Sequence, residues 1–184
     1  MGSGVSREWS VKQRISEQSQ EQNPLLRVSI AAMGMQYIPV ISKFCPLITS
    51  LDVSNNMISA LPEHLQRFHA LTHLDVSTNQ LSTLPVLLSA LALLTDLRAS
   101  DNSINHLPDA LDLPSLNSLS LCRNYLGKGL PPHFCQSCQS SLKVLRLSDN
   151  GLGCGGSHVS HALATLTALV ELHLGSNSLG GDTL

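Results

Sequence analysis

Two cysteines and two histidines have a spacing that could bind a metal ion. Cys135 and Cys138 form a CxxC, and His158 and His161 follow in the next segment of the chain. Zinc is commonly bound by four such thiolate and imidazole ligands, but zinc signatures normally contain two close pairs of cysteines, and this sequence has one. We therefore predict no metal and interpret Cys135 and Cys138 as reduced thiols in a loop, with a zinc site as the open alternative.

Gly2 is a candidate for lipidation. The chain begins MGSGVS, which matches the M-G-x-x-x-[ST] signal for N-myristoylation. A single myristoyl chain gives only marginal membrane affinity, and the nearby basic cluster of Arg7, Lys12 and Arg14 is light. If Gly2 is acylated, we expect weak and reversible membrane association; the alternative is a chance match.

Motifs for catalysis are missing from the sequence. It has no phosphate loop, dinucleotide-binding fingerprint, nucleophile elbow or HExxH, so we predict no enzymatic activity and no cofactor. The net charge of −2 gives no positive field for nucleic acid. Its apolar runs are far below the roughly 20 residues needed to span a bilayer, no secretory signal is recognisable, and the five cysteines are an odd number. We expect a cytoplasmic protein with reduced thiols.

The elements that would position these side chains are sequence repeats. Leucine occupies 35 of the 184 positions, whereas aromatic residues make up 3%. The pattern LxxLxLxxNxL occurs six times after residue 47, and its asparagines are Asn56, Asn79, Asn102, Asn124, Asn150 and Asn177. A degenerate first copy has Leu25, Val28, Ile30, Met35, Ile38 and Pro39 at the pattern positions and Met33 in place of asparagine. Such self-similarity at a fixed period predicts a repeat architecture with seven units.

The spacing within each unit predicts a short strand at LxL. Its apolar side chains face a core that continues from one unit to the next, because no unit can bury that face alone. The asparagine follows the strand, where its amide can pair with backbone groups of adjacent turns. We therefore predict an internal structural ladder of asparagines; a polar binding strip is the alternative.

These residues resemble the leucine-rich repeat family over about three quarters of the chain. The first units have asparagines 23 residues apart and LxxLP endings, similar to intracellular Ras-suppressor-like repeats, whereas the later spacings of 26 and 27 resemble the ribonuclease-inhibitor type. The resemblance implies an α/β solenoid, a horseshoe with a parallel concave β-sheet and with turns, 3-10 or α-helix on the convex side. It further implies a helix over 157–166, with Val159, Leu163 and Leu166 facing the sheet.

The concave face is the expected place for a partner, because a solenoid presents its broad surface there. The outward columns alternate with the core positions, and the N-terminal half of the face reads as acidic and the C-terminal half as more basic. The predicted partner-binding residues are Asp52, His73, Asp75, Asp96, Arg98, Ser120, Arg146 and His173.

Residues 24–184 are predicted to form the repeat domain, incomplete at its C-terminus, and residues 1–23 a tail or cap segment. The leading functional hypothesis is a non-catalytic protein-interaction module or adaptor. The alternatives are a myristoylated peripheral membrane adaptor and the recognition segment of a larger enzyme that continues after Leu184.

Overall fold

The computed structural model describes residues 26–40, 48–109, 111–153 and 157–179. Its strands are β1 (Leu26–Ser29), β2 (Ile48–Asp52), β3 (His73–Asp75), β4 (Asp96–Arg98), β5 (Ser118–Ser120), β6 (Val144–Arg146) and β7 (Glu171–His173). They form one parallel sheet in the order β1 to β7, so sequence neighbours are also spatial neighbours. The predicted boundary between residues 23 and 24 lies outside the described residues.

The sheet has the register that the repeats predict. The central leucines of successive strands align as one buried column: Leu51, Leu74, Leu97, Leu119 and Leu145. The degenerate first unit joins this column, because Val28 of β1 aligns with Leu51 of β2 and is buried. The column changes only at β7, where Leu172 is 41% exposed and the aligned Leu145 is fully buried.

Short helices cover the other side of the core. In two LxxLP units, 3-10 helices span Glu63–Arg67 and Val86–Ala90, each preceded by an extended proline. Proline has a fixed φ and no N–H to pair, so it suits this start. Leu65 and Leu88 are the buried residues of the two helices.

The later units differ as their longer spacing predicts. A 3-10 helix spans Gln136–Cys138, and α1 spans Ser157–Ala164. Helix α1 ends at Ala164, two residues before the predicted end at Leu166. Leu166 lies after the helix and is nevertheless buried. Val159 is buried and Leu163 half-buried, so α1 contacts the core with the predicted residues. Within the described ranges, no helix is long and apolar enough to cross a membrane.

The asparagine ladder is an internal structural feature. Asn102 shows the pattern: its Nδ2 donates to the carbonyls of Val76 and Ala99 at 3.0 and 3.1 Å. Its Oδ1 accepts the N–H of Leu81, which belongs to the preceding unit, at 2.9 Å. The equivalent side chain of Asn56 also serves the first unit, where it accepts the N–H of Met33. The ladder thus pairs buried backbone groups that would otherwise lack partners.

The residue before each ladder asparagine has a left-handed backbone. The φ angles are 52 to 59° at Asn55, Thr78, Asp101, Arg123, Asp149 and Ser176, and Ala32 of the first unit has φ 56°. This conformation is costly for side chains with a Cβ, least so for asparagine and aspartate. Each unit therefore leaves its strand through the same strained turn.

Candidate partner-binding face

The open sheet face is the side of β1–β7 opposite the core, and it consists of two columns of aligned residues. The first column is Arg27, Ser50, His73, Asp96, Ser118, Val144 and Glu171; the second is Ser29, Asp52, Asp75, Arg98, Ser120, Arg146 and His173. All eight residues predicted to bind a partner therefore lie on this one face. Alternation along each strand places them there, because the residues between them enter the core.

Asp96 and Arg98 of β4 form an ion pair on this face. Arg98 Nε donates to Asp96 Oδ2 at 3.0 Å, and Arg98 Nη2 lies 3.0 Å from the same oxygen. The other carboxylate oxygen of Asp96 is buried and has no hydrogen-bond partner. The charge of Arg98 is thus compensated within its own strand.

A second cluster joins β6 and β7. Arg146 Nη2 donates to Glu171 Oε1 at 2.7 Å, and His173 Nε2 lies 2.7 Å from the same oxygen. The hydrogen bond from His173 and the nearby charge of Arg146 lower the pKa of Glu171. Glu171 was not among the predicted binding residues, and it compensates the positive charge expected in this half of the face.

Asp52 and Asp75 have neutral hydrogen-bond partners instead. Asp52 accepts the hydroxyls of Ser29 at 3.0 Å and Ser54 at 2.7 Å, and Asp75 accepts the N–H of Ser77 at 2.9 Å. No basic side chain within the described ranges forms an ion pair with either carboxylate. The face is therefore ion-paired in β4–β7 and carries uncompensated charge in β1–β3.

A small pocket of about 250 Å³ lies where β1, β2 and β3 begin. It is lined by Arg27, Thr49, Ser50, Thr72 and His73. Sequence reasoning named only His73 of these residues as part of a site, because the pocket depends on how three neighbouring strands align. The sequence signal for this pocket was the first column of the face together with Thr49 and Thr72, which precede its residues on β2 and β3.

A further ion pair lies where the strands end. Arg123 Nη2 donates to Asp101 Oδ2 at 2.8 Å, and Arg123 Nε contacts the other oxygen of the same carboxylate. The hydrogen bond from Arg123 lowers the pKa of Asp101. Both residues occupy the left-handed turns of adjacent units, so this pair links two turns across the surface.

The CxxC lies in the core rather than on an accessible surface. Cys135 and Cys138 are both buried and free, and Cys138 Sγ donates to the carbonyl of Cys135 at 3.3 Å. The hydrogen bond with Cys138, together with burial, raises the pKa of the Cys135 thiol. A thiol with a raised pKa is a poor nucleophile and a poor metal ligand.

Of the two histidines of the zinc alternative, only His161 has a described side chain. His161 is exposed on α1, and the side chain of His158 lies outside the described residues. In the part of the chain that the structure describes, no group of three or more histidine, cysteine, aspartate or glutamate residues is placed to hold a metal ion.

Two adjoining grooves on the helical side were missed by sequence reasoning. The larger, of about 410 Å³, is lined by Asp109, Leu111, Asp112, His133, Gln136 and Ser137. The second, of about 280 Å³, shares Asp109 and includes Lys128. They lie where the asparagine spacing changes from 22 residues, between Asn102 and Asn124, to 26 in the next unit. That change in repeat length was the sequence feature that could have indicated the grooves.

Comparisons with known proteins agree with this architecture. The family model described as Leucine Rich Repeat matches residues 115–137. A leucine-rich repeat protein from Leptospira interrogans has a similar structure, with a TM-score of 0.72 and 22% identity over 91% of this chain and 46% of its own. YopM from Yersinia enterocolitica has a TM-score of 0.63 and 26% identity over 92% of this chain and 32% of its own. No curated protein matches the sequence significantly.

The protein is a leucine-rich repeat solenoid. Its seven aligned units and the two similar structures show this fold, and one unit also matches the family model. The chain spans less than half the length of either similar protein.

Proposed function

We propose that this protein is a non-catalytic interaction module, or adaptor, that binds a protein partner on the open sheet face. The observation that supports this proposal is the face itself, where polar and charged side chains from seven strands form two aligned columns. At about 4.8 Å between strands, these columns extend over about 29 Å, which suits a protein surface better than a small molecule.

The composition of the face favours a polar interface. Aromatic side chains, which are frequent at the energetic centres of interfaces, do not occur in either column within the described residues. The ion pairs on β4 and between β6 and β7 hold Arg98 and Arg146 in fixed positions. Fixed charges give specificity and faster association more than raw affinity, so we expect a specific interface of modest strength.

Charge reversal on β3 tests the proposal. Asp75 lies on the face without an ion-pair partner among the described residues, so Asp75→Lys changes the surface charge and breaks no salt bridge. Glu63→Lys is the matched control, because Glu63 is exposed on the helical side. Both variants and the unmodified full chain are used as bait in lysates of the cells that express the protein, after circular dichroism shows the same fold.

The expected result is a specific set of proteins that the unmodified chain and Glu63→Lys capture and Asp75→Lys does not. Equal capture by both variants, with loss of binding on Asp109→Lys, would move the binding site to the grooves of the helical side and contradict the proposal.

A second proposal concerns Gly2, on the sequence match MGSGVS alone. We propose that Gly2 is myristoylated and that the module visits membranes reversibly, as one acyl chain permits. The intact mass of the protein from eukaryotic cells tests this, because a myristoyl group adds about 210 Da. Unmodified or acetylated Gly2 would end the proposal, and Gly2→Ala is the control that cannot be acylated.

A further inference from the structure

The unpaired charges of the open sheet face are concentrated at its N-terminal end. Arg27 lies in the first column on β1, and Asp52 and Asp75 lie in the second column on β2 and β3. No carboxylate of the described residues forms an ion pair with Arg27. One free positive group and two free negative groups therefore occupy three adjacent strands.

The pocket at the start of these strands has the chemistry to bind an anion. Its lining combines the guanidinium of Arg27 with three hydroxyl side chains and the ring of His73. Arg27 and the hydroxyls of Thr49 and Ser50 can donate hydrogen bonds to a ligand, and arginine binds carboxylates well because its fork of N–H groups matches their geometry. The pocket contains no acidic side chain in its lining.

The contacts of Thr72 fix the orientation of His73. The single hydroxyl proton of Thr72 is donated to the carbonyl of Thr49 at 2.9 Å. The 2.7 Å contact between Thr72 Oγ1 and His73 Nδ1 then requires a proton on Nδ1, since the hydroxyl can only accept there. In that tautomer Nε2 is an acceptor, so the donors left for an anion in this pocket are Arg27 and the hydroxyls of Thr49 and Ser50.

Asp52 and Asp75 form a complementary site beside the pocket. They are aligned on neighbouring strands, about 4.8 Å apart along the sheet. Like charges opposite each other destabilise a sheet, and a basic group placed between them would relieve that repulsion. Ser50 and His73 of the pocket precede these aspartates by two residues, so the two sites are about 6.6 Å apart.

We infer that this end of the face selects a partner segment that presents an acidic and a basic side chain together. The carboxylate occupies the pocket, where Arg27 and the hydroxyls of Thr49 and Ser50 can donate to it, and the basic group lies between Asp52 and Asp75. In an extended segment the side chains of residues i and i+2 point to the same side, about 6.6 Å apart, which matches the separation of the two sites. The partner motif is therefore Glu-x-Lys or Lys-x-Glu, according to the direction in which the segment runs.

This inference rests on the proposed function and names the chemistry of the partner. A phosphoryl group is also anionic, but the single guanidinium of Arg27 neutralises a monoanionic carboxylate and leaves part of the charge of a phosphoryl dianion uncompensated beside Asp52 and Asp75. A carboxylate is therefore the expected anion. Comparing a glutamate peptide with a phosphoserine peptide distinguishes a carboxylate from a phosphoryl group as the ligand.

The test is an NMR titration of the ¹⁵N-labelled full chain with short blocked peptides. The probes are acetyl-Thr-Glu-Thr-Lys-Thr-amide and its reversed sequence, with versions in which glutamate or lysine is replaced by glutamine and one in which phosphoserine replaces glutamate. We expect amide shifts at Ser50 and His73 for one of the two parent peptides, and binding weaker by about fivefold for each glutamine version.

Matched protein variants assign each charge. The Arg27→Gln variant should bind the parent peptide and the version with glutamine in place of glutamate equally well. The Asp75→Asn variant should bind the parent peptide and the version with glutamine in place of lysine equally well. Arg67→Gln is the control, because Arg67 is an exposed arginine on the helical side, and it should retain both preferences.

Several results would overturn the inference. These are the absence of shifts at about 10 mM of either parent peptide, an Arg27→Gln variant that still prefers glutamate, and tighter binding of the phosphoserine peptide. If these occur while Asp75→Lys still loses its captured partner, the proposed function stands and this account of the partner motif fails.

Discussion

Replacing Asn102 tests the central claim about the fold, that the ladder asparagines stabilise it. In Asn102→Ala, the N–H of Leu81 loses the acceptor that Asn102 Oδ1 provides at 2.9 Å. The carbonyl of Val76 keeps a donor, because Asn79 Nδ2 also reaches it at 3.0 Å. Adjacent ladder asparagines share acceptors, so the substitution leaves one buried N–H fully unpaired and several carbonyls with fewer bonds.

The magnitude follows from these contacts. A buried donor without a partner costs about 1–3 kcal/mol, and each lost hydrogen bond about 0.5–1.5 kcal/mol. A small cavity adds to the cost. Asn102→Ala should therefore lower the free energy of unfolding by about 2–4 kcal/mol. The control is Asn105→Ala, because Asn105 is exposed and, among the described residues, its side chain hydrogen-bonds to its neighbour His106 alone; this change should stay within about 0.5 kcal/mol.

Urea unfolding followed by circular dichroism gives the stabilities, and native-state hydrogen exchange gives the local effect. Exchange at the Leu81 amide should speed up in Asn102→Ala and remain unchanged in Asn105→Ala. If Asn102→Ala unfolds within about 0.5 kcal/mol of the unmodified chain, with the Leu81 amide equally protected, the reasoning about the ladder is refuted.

Three further changes test other parts of the structure. Leu145→Ala should cost about 2–5 kcal/mol and Leu172→Ala about 1 kcal/mol, because Leu145 is fully buried and Leu172 is 41% exposed; equal costs by urea unfolding would contradict this difference in burial. Thr78→Asn should stabilise the chain by about 0.5–1 kcal/mol, because Thr78 has φ 54° and asparagine tolerates that conformation better; a lower thermal midpoint would argue against strain there. The pKa of Asp101 is lowered by Arg123, so this pair contributes stability above the unfolded pKa of about 4, and the contribution is lost as pH falls through the folded value. Chemical unfolding at several pH values should therefore show a difference between the unmodified chain and Arg123→Gln that is constant at neutral pH and shrinks in acid; a growing difference would contradict the pairing.

The repeat pattern predicted most of the fold because its signals are local and recur. Each LxL became a strand, each ladder asparagine took its structural position, and the degenerate copy around Val28 and Met33 joined the sheet. Even the change to longer units was visible in asparagine spacing. Only the end of α1 differed, since a buried Leu166 can lie in a turn as well as in a helix.

The left-handed turns could not be predicted from residue type. Alanine, asparagine, threonine, aspartate, arginine and serine all occupy the position before the ladder residue or its equivalent in the first unit. No common side chain marks the strain there, because the asparagine that follows and the aligned strands impose the conformation. Sequence reasoning detects what a residue prefers, and these residues adopt what their neighbours require.

The sequence predicted which residues lie on the open sheet face but not which of their charges are paired. The two columns followed from alternation, so every predicted binding residue lies on the open sheet face. Which charges neutralise one another depends on side-chain conformations, as the contacts of Glu171 with Arg146 and His173 show. The columns alone therefore suggested a basic half of the face, whereas the unpaired charges lie on β1–β3.

The hydrogen bonds of the ladder have a direction along the solenoid. Asn56, Asn102 and Asn177 each accept an N–H from the unit that precedes them in sequence. Removing the unit that follows therefore leaves N–H groups without an acceptor, such as that of Leu81, whereas removing the unit that precedes leaves carbonyls without a donor, such as that of Asp52. The two ends of such an array are therefore chemically different surfaces: one presents unpaired N–H donors and the other presents unpaired carbonyl acceptors.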